Sequence, residues 1–288
     1  MRDLDQNLYY KIQKHKHMKT HALVLFFIAL LIGCSKKSDP TPANSNSPSC
    51  LLTKATLSQS STVITYNSSN QPTTVVITNA NAGPANANTY NVTLDASGRI
   101  TKLATSGTPN GLAFSSLEAT YSGTNVFPTT YKLIFSDGSY TQNTATFNSN
   151  NQVTQVVSSS YYQTLGATNS TYTTYTYADS KSQNPIKAED FMGLPTEGGD
   201  KYEVHDYTYD DKNLPGGASL MSFFSTGISA TNNILTDKDT YSPGTAGEYV
   251  TTQTFTYQYN SNGFPTKRSY SVLGGSTITE SYTYGNCN

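Results

Sequence analysis

From Leu51 onward, apolar and polar side chains alternate at a spacing of two, in short runs that break at clusters of Asn, Ser, Gly and Pro. That spacing puts successive side chains on opposite faces of an extended chain and predicts short β-strands joined by tight turns. Four stretches share one order of events: TYNSSNQPTTVVI from Thr65, TLDASGRITKLA from Thr93, TFNSNNQVTQVV from Thr146 and TYQYNSNGFPTKRSYSV from Thr256. In each, an aromatic or apolar residue ends a strand, a polar turn follows, and Pro-Thr or apolar-Thr opens the next strand. Apolar residues at helical spacing are scarce, so helix is expected only as a minor component.

Aligned on the last strand residue before each turn, the chain shows anchors at Tyr66, Leu94, Tyr121, Phe147, Tyr177, Tyr209, Tyr259 and Tyr284, with gaps of 28, 27, 26, 30, 32, 50 and 25 residues. A period of this size fits one repeated pair of short strands. Two residues before each anchor stand Ile64, Val92, Ala119, Ala145, Tyr175, Tyr207, Tyr257 and Tyr282, on the anchor's own face, which is expected to be the buried one. Between them, Thr65, Thr93, Thr120, Thr146, Thr176, Thr208, Gln258 and Thr283 point the other way, toward water.

Four residues past the anchors come Asn70, Gly98, Asn125, Asn151, Asn213 and Gly263, the residue types that tolerate positive φ, which predicts hairpins built on type I turns. Pro72-Thr73, Ile100-Thr101, Val153-Thr154 and Pro265-Thr266 then restart an extended strand, and Pro suits a strand's first residue. The 50-residue gap holds a worn copy, because NNILTDKD from Asn232 mimics NNQVTQVV from Asn150. SVLGGSTIT around Gly274 reads as one more hairpin, without the Gly-Lys-Ser/Thr and helix of a phosphate loop.

About eight hairpins, or roughly 16 strands, exceed a comfortable open sheet. The expected fold is therefore all-β: an antiparallel meander of repeated hairpins rolled into a soluble barrel or half-barrel. A lipid-embedded barrel would need an apolar outer band, and the face opposite the aromatics is Thr, Ser, Asn and charged residues.

Ahead of the repeats, MKTHALVLFFIALLIGC begins at Met18, with Lys19 before an apolar run of 11 residues from Ala22 to Ile32. The run is well short of the roughly 20 residues that span a bilayer, and residues 1–33 read as a signal peptide whose true start is Met18. Leu31-Ile32-Gly33-Cys34 resembles the lipobox of bacterial lipoproteins. The resemblance implies cleavage before Cys34, lipid such as palmitate on Cys34, and a membrane partner reached through that anchor. Ser35, with no Asp at that place, fits by the same resemblance a lipoprotein passed on to the outer membrane. Residues 34–49, with SKKSDPTPANSNSPS after the cysteine, form a flexible tether, and 50–288 form a single hairpin-repeat domain.

Removing residues 1–33 takes away five of the 18 basic and two of the 19 acidic residues, leaving 13 against 17 and a net charge of −4. Without clustered Lys and Arg, no nucleic-acid partner is expected. With Cys34 taken by lipid, Cys50 and Cys287 stand at the two ends of the folded region, and an oxidising envelope compartment predicts their disulfide. LDASGRITKL and YNSNGFPTK resemble the YD repeats of RHS-type bacterial proteins. The layout of lipobox, tether, early CLLTK and late cysteine also resembles uncharacterised envelope lipoproteins with a porin-like β fold. These resemblances imply architecture and no activity.

His15, His17 and His21 precede the cleavage point, so the mature chain keeps His205 alone, and neither a His-ligated metal cluster nor a cofactor is expected. His205 shares a face with Tyr207 and reads as a half-buried strand residue. As a base it would need Asp206 or Asp210 and a distant serine. Glu189, Asp190, Glu197 and Asp200 fall in one apparent insertion, and Asp237, Asp239 and Glu248 in another. All read as solvated loop charges without the spacing of a calcium loop. Within EDFMGLPTEGGD, which breaks the repeat from Glu189, the residues Phe191, Met192 and Leu194 are expected to plug a barrel end or line a pocket mouth.

The tyrosines are expected to face the core, with exposed ones able to stack on sugars. The functional expectation is a lipid-anchored, non-enzymatic binding or structural module for an extended ligand, glycan or peptide. The alternatives are a hydrolase using carboxylates or His205 near the insertions, and a secretion or adhesion scaffold.

Overall fold

A computed structural model of the chain describes residues 50–287, apart from 58–59, 80–86, 110–112, 124, 126, 216–229 and 272–274. The expectations for the signal peptide, Met18, Cys34 and the tether fall outside the described residues. Sixteen strands appear among the described residues: β1 (Leu51–Thr56), β2 (Ser60–Tyr66), β3 (Pro72–Asn79), β4 (Ala87–Leu94), β5 (Ile100–Thr105), β6 (Phe114–Thr120), β7 (Thr130–Phe135), β8 (Tyr140–Phe147), β9 (Val153–Tyr162), β10 (Ala167–Tyr177), β11 (Pro185–Met192), β12 (Asp200–Tyr209), β13 (Ile234–Tyr241), β14 (Tyr249–Tyr259), β15 (Pro265–Ser271) and β16 (Thr277–Gly285). Each pairs with its neighbours in the chain, and β1 pairs antiparallel with β16, so the meander closes into a barrel with no free edge.

The Cys50–Cys287 disulfide lies just beyond that seam and joins residues 237 apart in sequence. Closing so long a loop stabilises the fold by about 5 kcal/mol in the chain-entropy picture.

The repeat's inside-outside assignment holds around the barrel. All eight intervening residues, from Thr65 to Thr283, are exposed. Ile64, Ala119, Ala145, Tyr175, Tyr207 and Tyr282 are buried in one core, against which the anchors Tyr66, Leu94, Phe147, Tyr177, Tyr209 and Tyr284 are packed.

At the end of the barrel where the repeat's turns lie, called here the turn end, one chemistry recurs. Asn67 Oδ1 accepts from the N–H groups of Ser69 and Gln71, and Asp95 Oδ1 from those of Ser97 and Arg99. Asn148 Oδ1 serves Asn150 and Gln152, and Asn260 Oδ1 serves Asn262 and Phe264. This side-chain mimic of a backbone turn is why Asn or Asp follows the anchor. Positive φ occurs at Asn70 (59°), Gly98 (80°), Asn151 (59°) and Gly263 (76°), as the spacing predicts. Asn125 and Asn213 depart from the expectation. Gly123 (φ 53°) takes the left-handed role after Tyr121, where its lack of a Cβ removes the steric cost, and Asn213 sits in a long connection whose N–H donates to Gly263.

The Pro-Thr pairs carry a further device. Tyr66 faces Pro72 while Thr65 faces Thr74, so Thr73 is an extra residue, and the same slip occurs at Thr101, Thr154 and Thr266. Each bulged threonine donates its hydroxyl to the carbonyl eight residues back, on Thr65, Thr93, Thr146 or Gln258, at 3.2–3.3 Å. The bulge adds twist and curvature at the rim, which a closing sheet needs.

Adjacent hairpins have no turn between them at this end, and tyrosines join them instead. The hydroxyls of Tyr66, Tyr121, Tyr177, Tyr209, Tyr257 and Tyr284 donate to the carbonyls of Leu52, Ile100, Val153, Pro185, Ile234 and Pro265, at 2.7–3.0 Å. Each acceptor lies at or next to the start of the preceding strand. Tyr121→Phe or Tyr284→Phe is expected to cost about 1 kcal/mol in urea melts, the value of one hydrogen bond, whereas Thr120→Val beside it on the outer face stays within about 0.5 kcal/mol of wild type.

Candidate functional site

Glu203, His205, Tyr207 and Tyr209 alternate along one face of β12, and burial of Tyr207 in the core identifies that face as the inner wall. Register builds the rest. His205 stands between Ala188 of β11 and Asp239 of β13, Glu203 between Asp190 and Tyr241, and Tyr207 beside Asp237. Four carboxylates from three strands therefore surround one imidazole on the wall.

Both ring nitrogens face oxygens. Asp237 Oδ1 lies 3.1 Å and Asp239 Oδ1 2.7 Å from Nδ1, while Asp190 Oδ2 lies 3.3 Å and Glu203 Oε1 3.8 Å from Nε2. The ring stacks on Tyr207, with centroids 5.7 Å apart and planes 6° from parallel. Thr173 donates its hydroxyl to Asp190, and Thr251 Oγ1 lies 3.5 Å from Asp239 Oδ2.

Burial would lower the pKa of His205, but the carboxylates of Asp190, Asp237 and Asp239 set against its ring nitrogens outweigh that and raise it to about 12. Burial raises Glu203 to about 7, helped by the charges of Asp190 and Asp239 and opposed by His205. Within the adjacent aspartates the two effects divide: burial drives Asp237 up, whereas His205 holds Asp239 down against its own burial. Carboxylates on both sides favour the protonated imidazole, which works against a role as general base. One nitrogen and several carboxylate oxygens can instead hold a divalent cation. His205, Asp237 and Asp239 form one group with ligand atoms within 4.8 Å of one another, and Asp190, Glu203 and His205 form a second.

Beyond Glu203, at the end of the barrel away from the disulfide, Tyr241 and Tyr249 face each other in register and stack at 4.5 Å, 13° from parallel. Tyr249 is 52% exposed, which makes this pair a platform open to solvent above the carboxylates. A second ionic group lies further round the wall. Nε and Nη2 of Arg268 both reach Oε2 of buried Glu280 at 2.8 Å, and the Tyr282 hydroxyl donates to the same oxygen.

The residues singled out from sequence fall in different places. His205 is the centre of the cluster. Phe191 stacks on Tyr172 at 4.5 Å with planes 2° apart, and its register partners place it on the face opposite Asp190, outside the barrel. Met192 ends β11, and half-buried Leu194 precedes a single 3₁₀ turn over Pro195–Glu197. The N–H of Gly193 donates to the Ser170 carbonyl, tying this connection to β10.

One expectation needs correction. Glu189 and Asp190 lie within β11, and Asp237 and Asp239 within β13, so these acids are strand residues and not loop charges. The expectation of no His-ligated metal cluster rested on the count of histidines, and strand pairing adds carboxylates beside the one that remains in the strands. Glu203 was missed, although Glu-x-His-x-Tyr and Asp-x-Asp each put their members on one strand face.

One consequence concerns pH. The side chain of Glu203 is only 14% exposed, and its folded pKa lies above the ordinary 4.5. The neutral acid therefore favours the fold: stability is fully present below pH 4.5 and is lost as pH rises through about 7. With a chelator present, Glu203→Gln is expected to be more stable than wild type by about 3 kcal/mol at pH 8. Urea melts across pH should show that difference shrinking to nothing below pH 4.5.

No protein-family model matches the chain, and no curated protein matches it. Solved structures do. A porin-like protein from Bacteroides vulgatus ATCC 8482 is similar with a TM-score of 0.54 and 8% identity, over 82% of this chain and 99% of its own. A porin-like protein from Bacteroides uniformis ATCC 8492 matches with a TM-score of 0.48 and 13% identity, over 81% of this chain and 98% of its own. The likeness to the first is one of fold.

Proposed function

We propose that the protein is a lipid-anchored module of the cell envelope, held at the outer membrane through Cys34, that binds an extended ligand at the end of its barrel remote from the anchor and does no chemistry on it. The observation that carries this reading is the exposed Tyr241–Tyr249 stack, set in register beside Glu203 and the His205 carboxylates and opposite the end at which Cys50 enters the barrel. A lipid on Cys34 would hold the turn end toward the membrane and present the aromatic platform away from it. The exposed row of threonines around the outer face supports a tethered barrel in water over one immersed in lipid. The Bacteroides vulgatus protein of the same fold is described as porin-like, which accords with an envelope address.

The platform also bears on the ligand. Tyrosine faces accept a sugar ring or a cation, and carboxylates beneath them favour a basic peptide over a neutral glycan. A glycan is the second reading, carried by the exposed ring of Tyr249 alone.

Two experiments test the proposal. Cells fed an alkyne-tagged palmitate should label the wild-type chain and retain it in the membrane fraction, whereas Cys34→Ala should be unlabelled and released. A variant that keeps its label defeats the anchor. Lys/Arg-containing peptides and a glycan array are then titrated against the protein with tyrosine NMR signals as readout. Peptide binding weakened roughly tenfold by Tyr249→Ala supports the proposal; glycan binding alone selects the second reading, and no binding of either removes both.

A further inference from the structure

Among the described residues Asp239 Oδ1 is enclosed and accepts no hydrogen bond, although it sits 2.7 Å from Nδ1 of His205. The Nδ1 hydrogen bond is directed instead to Asp237 Oδ1, 3.1 Å away. The enclosed carboxylate oxygen thus meets the ring nitrogen as an ion-pair contact outside hydrogen-bond geometry, and its lone pairs are left without a donor. A cation placed among the three atoms would satisfy it.

From this geometry we infer a first-row divalent metal site, of the zinc type, in which His205 Nδ1, Asp237 and Asp239 are the ligands and Asp190 is the outer carboxylate that orients the ring. Neighbouring ligand atoms of a tetrahedral zinc ion with bonds of about 2.0–2.2 Å lie about 3.3–3.6 Å apart. The two edges from Nδ1, 3.1 and 2.7 Å, reach that spacing by opening less than about 1 Å each. The Asp-x-Asp spacing on β13 puts both carboxylates on the inner wall, and the ladder sets His205 directly opposite Asp239.

The other side of the ring completes the arrangement. A ligating histidine nearly always donates its second N–H to a carboxylate, which fixes the tautomer and strengthens the ligand. Nε2 has Asp190 Oδ2 at 3.3 Å, and Asp190 is itself held by the Thr173 hydroxyl. Binding exchanges the Nδ1 proton for the ion, so one proton leaves the ring for each metal taken up. Three protein ligands leave a fourth position open on the lumen side. This site stands or falls apart from the peptide reading, since it uses neither Tyr241 nor Tyr249.

The test uses the full chain, untagged, dialysed to equilibrium with zinc and measured for metal content, beside an Asp237→Asn/Asp239→Asn double variant whose fold is checked by circular dichroism. Wild type should hold one ion per chain more than the double variant, which cancels any zinc on His15, His17 or His21. Asp190→Asn should keep that ion with 10- to 100-fold weaker affinity. Independently of any variant, ring-nitrogen NMR of wild type should show zinc removing the proton from Nδ1 of His205 while Nε2 keeps its own. Equal metal content in wild type and double variant, or an Nδ1 that stays protonated in zinc, would overturn the assignment.

Discussion

A tyrosine hydroxyl that reaches across to the first carbonyls of the neighbouring hairpin is the interaction on which this barrel depends. Hairpin turns join strands only in pairs, so at the turn end every second seam is left without a covalent link. Tyr66, Tyr121, Tyr177, Tyr209, Tyr257 and Tyr284 tie six of those seams. Leu94 and Phe147, the two anchors with no hydroxyl to offer, rely on apolar contact with the core. The latch dictates the rest of the repeat: its ring must lie inward, so the preceding residue must lie outward and tolerate water, and the chain must then turn within a few residues. Burial helps further by raising the pKa of Tyr121, Tyr209 and Tyr284, which keeps each phenol protonated and able to donate.

This local logic explains why the fold was readable from the chain. Anchor, exposed threonine, Asn or Asp, left-handed residue and bulged threonine all fall within about ten residues, and each has a conformational role that does not depend on distant partners. Asn213 failed because a long connection replaces the short turn there, so its spacing from the anchor no longer fixes its φ. The site was legible only in part because it is a product of register. No stretch of sequence states that Asp239 lies opposite His205, or Asp190 opposite Glu203. The acids of β11 and β13 also looked like loop residues because the inner wall there is polar, which removes the apolar half of the alternation that marks a strand.

The two ends of the barrel thus solve different problems. Near the turn end, Leu52, Ile100, Val153 and Tyr282 fill the interior, and the disulfide and latches hold the rim. Toward the far end the wall carries ionisable groups, and the stacked Tyr241 and Tyr249 reach solvent. The closed rim and the exposed tyrosine pair are placed at opposite ends of the same strands, so substitutions at one need not disturb the other.

The charge balance at the far end also limits what the wall can be. Four carboxylates around one imidazolium leave an excess of negative charge in a partly desolvated place, and like charges at such distances repel strongly where water is scarce. Some of that excess is removed by protons, with Glu203 neutral up to about pH 7 and Asp237 raised as well. Hydrophobic packing alone would be served better by apolar residues on these three strands, as the opposite end of the barrel shows with Leu52, Ile100 and Val153. A wall built this way gains from any cation that enters it, whether an ion between His205 and its aspartates or a basic side chain beneath the tyrosines.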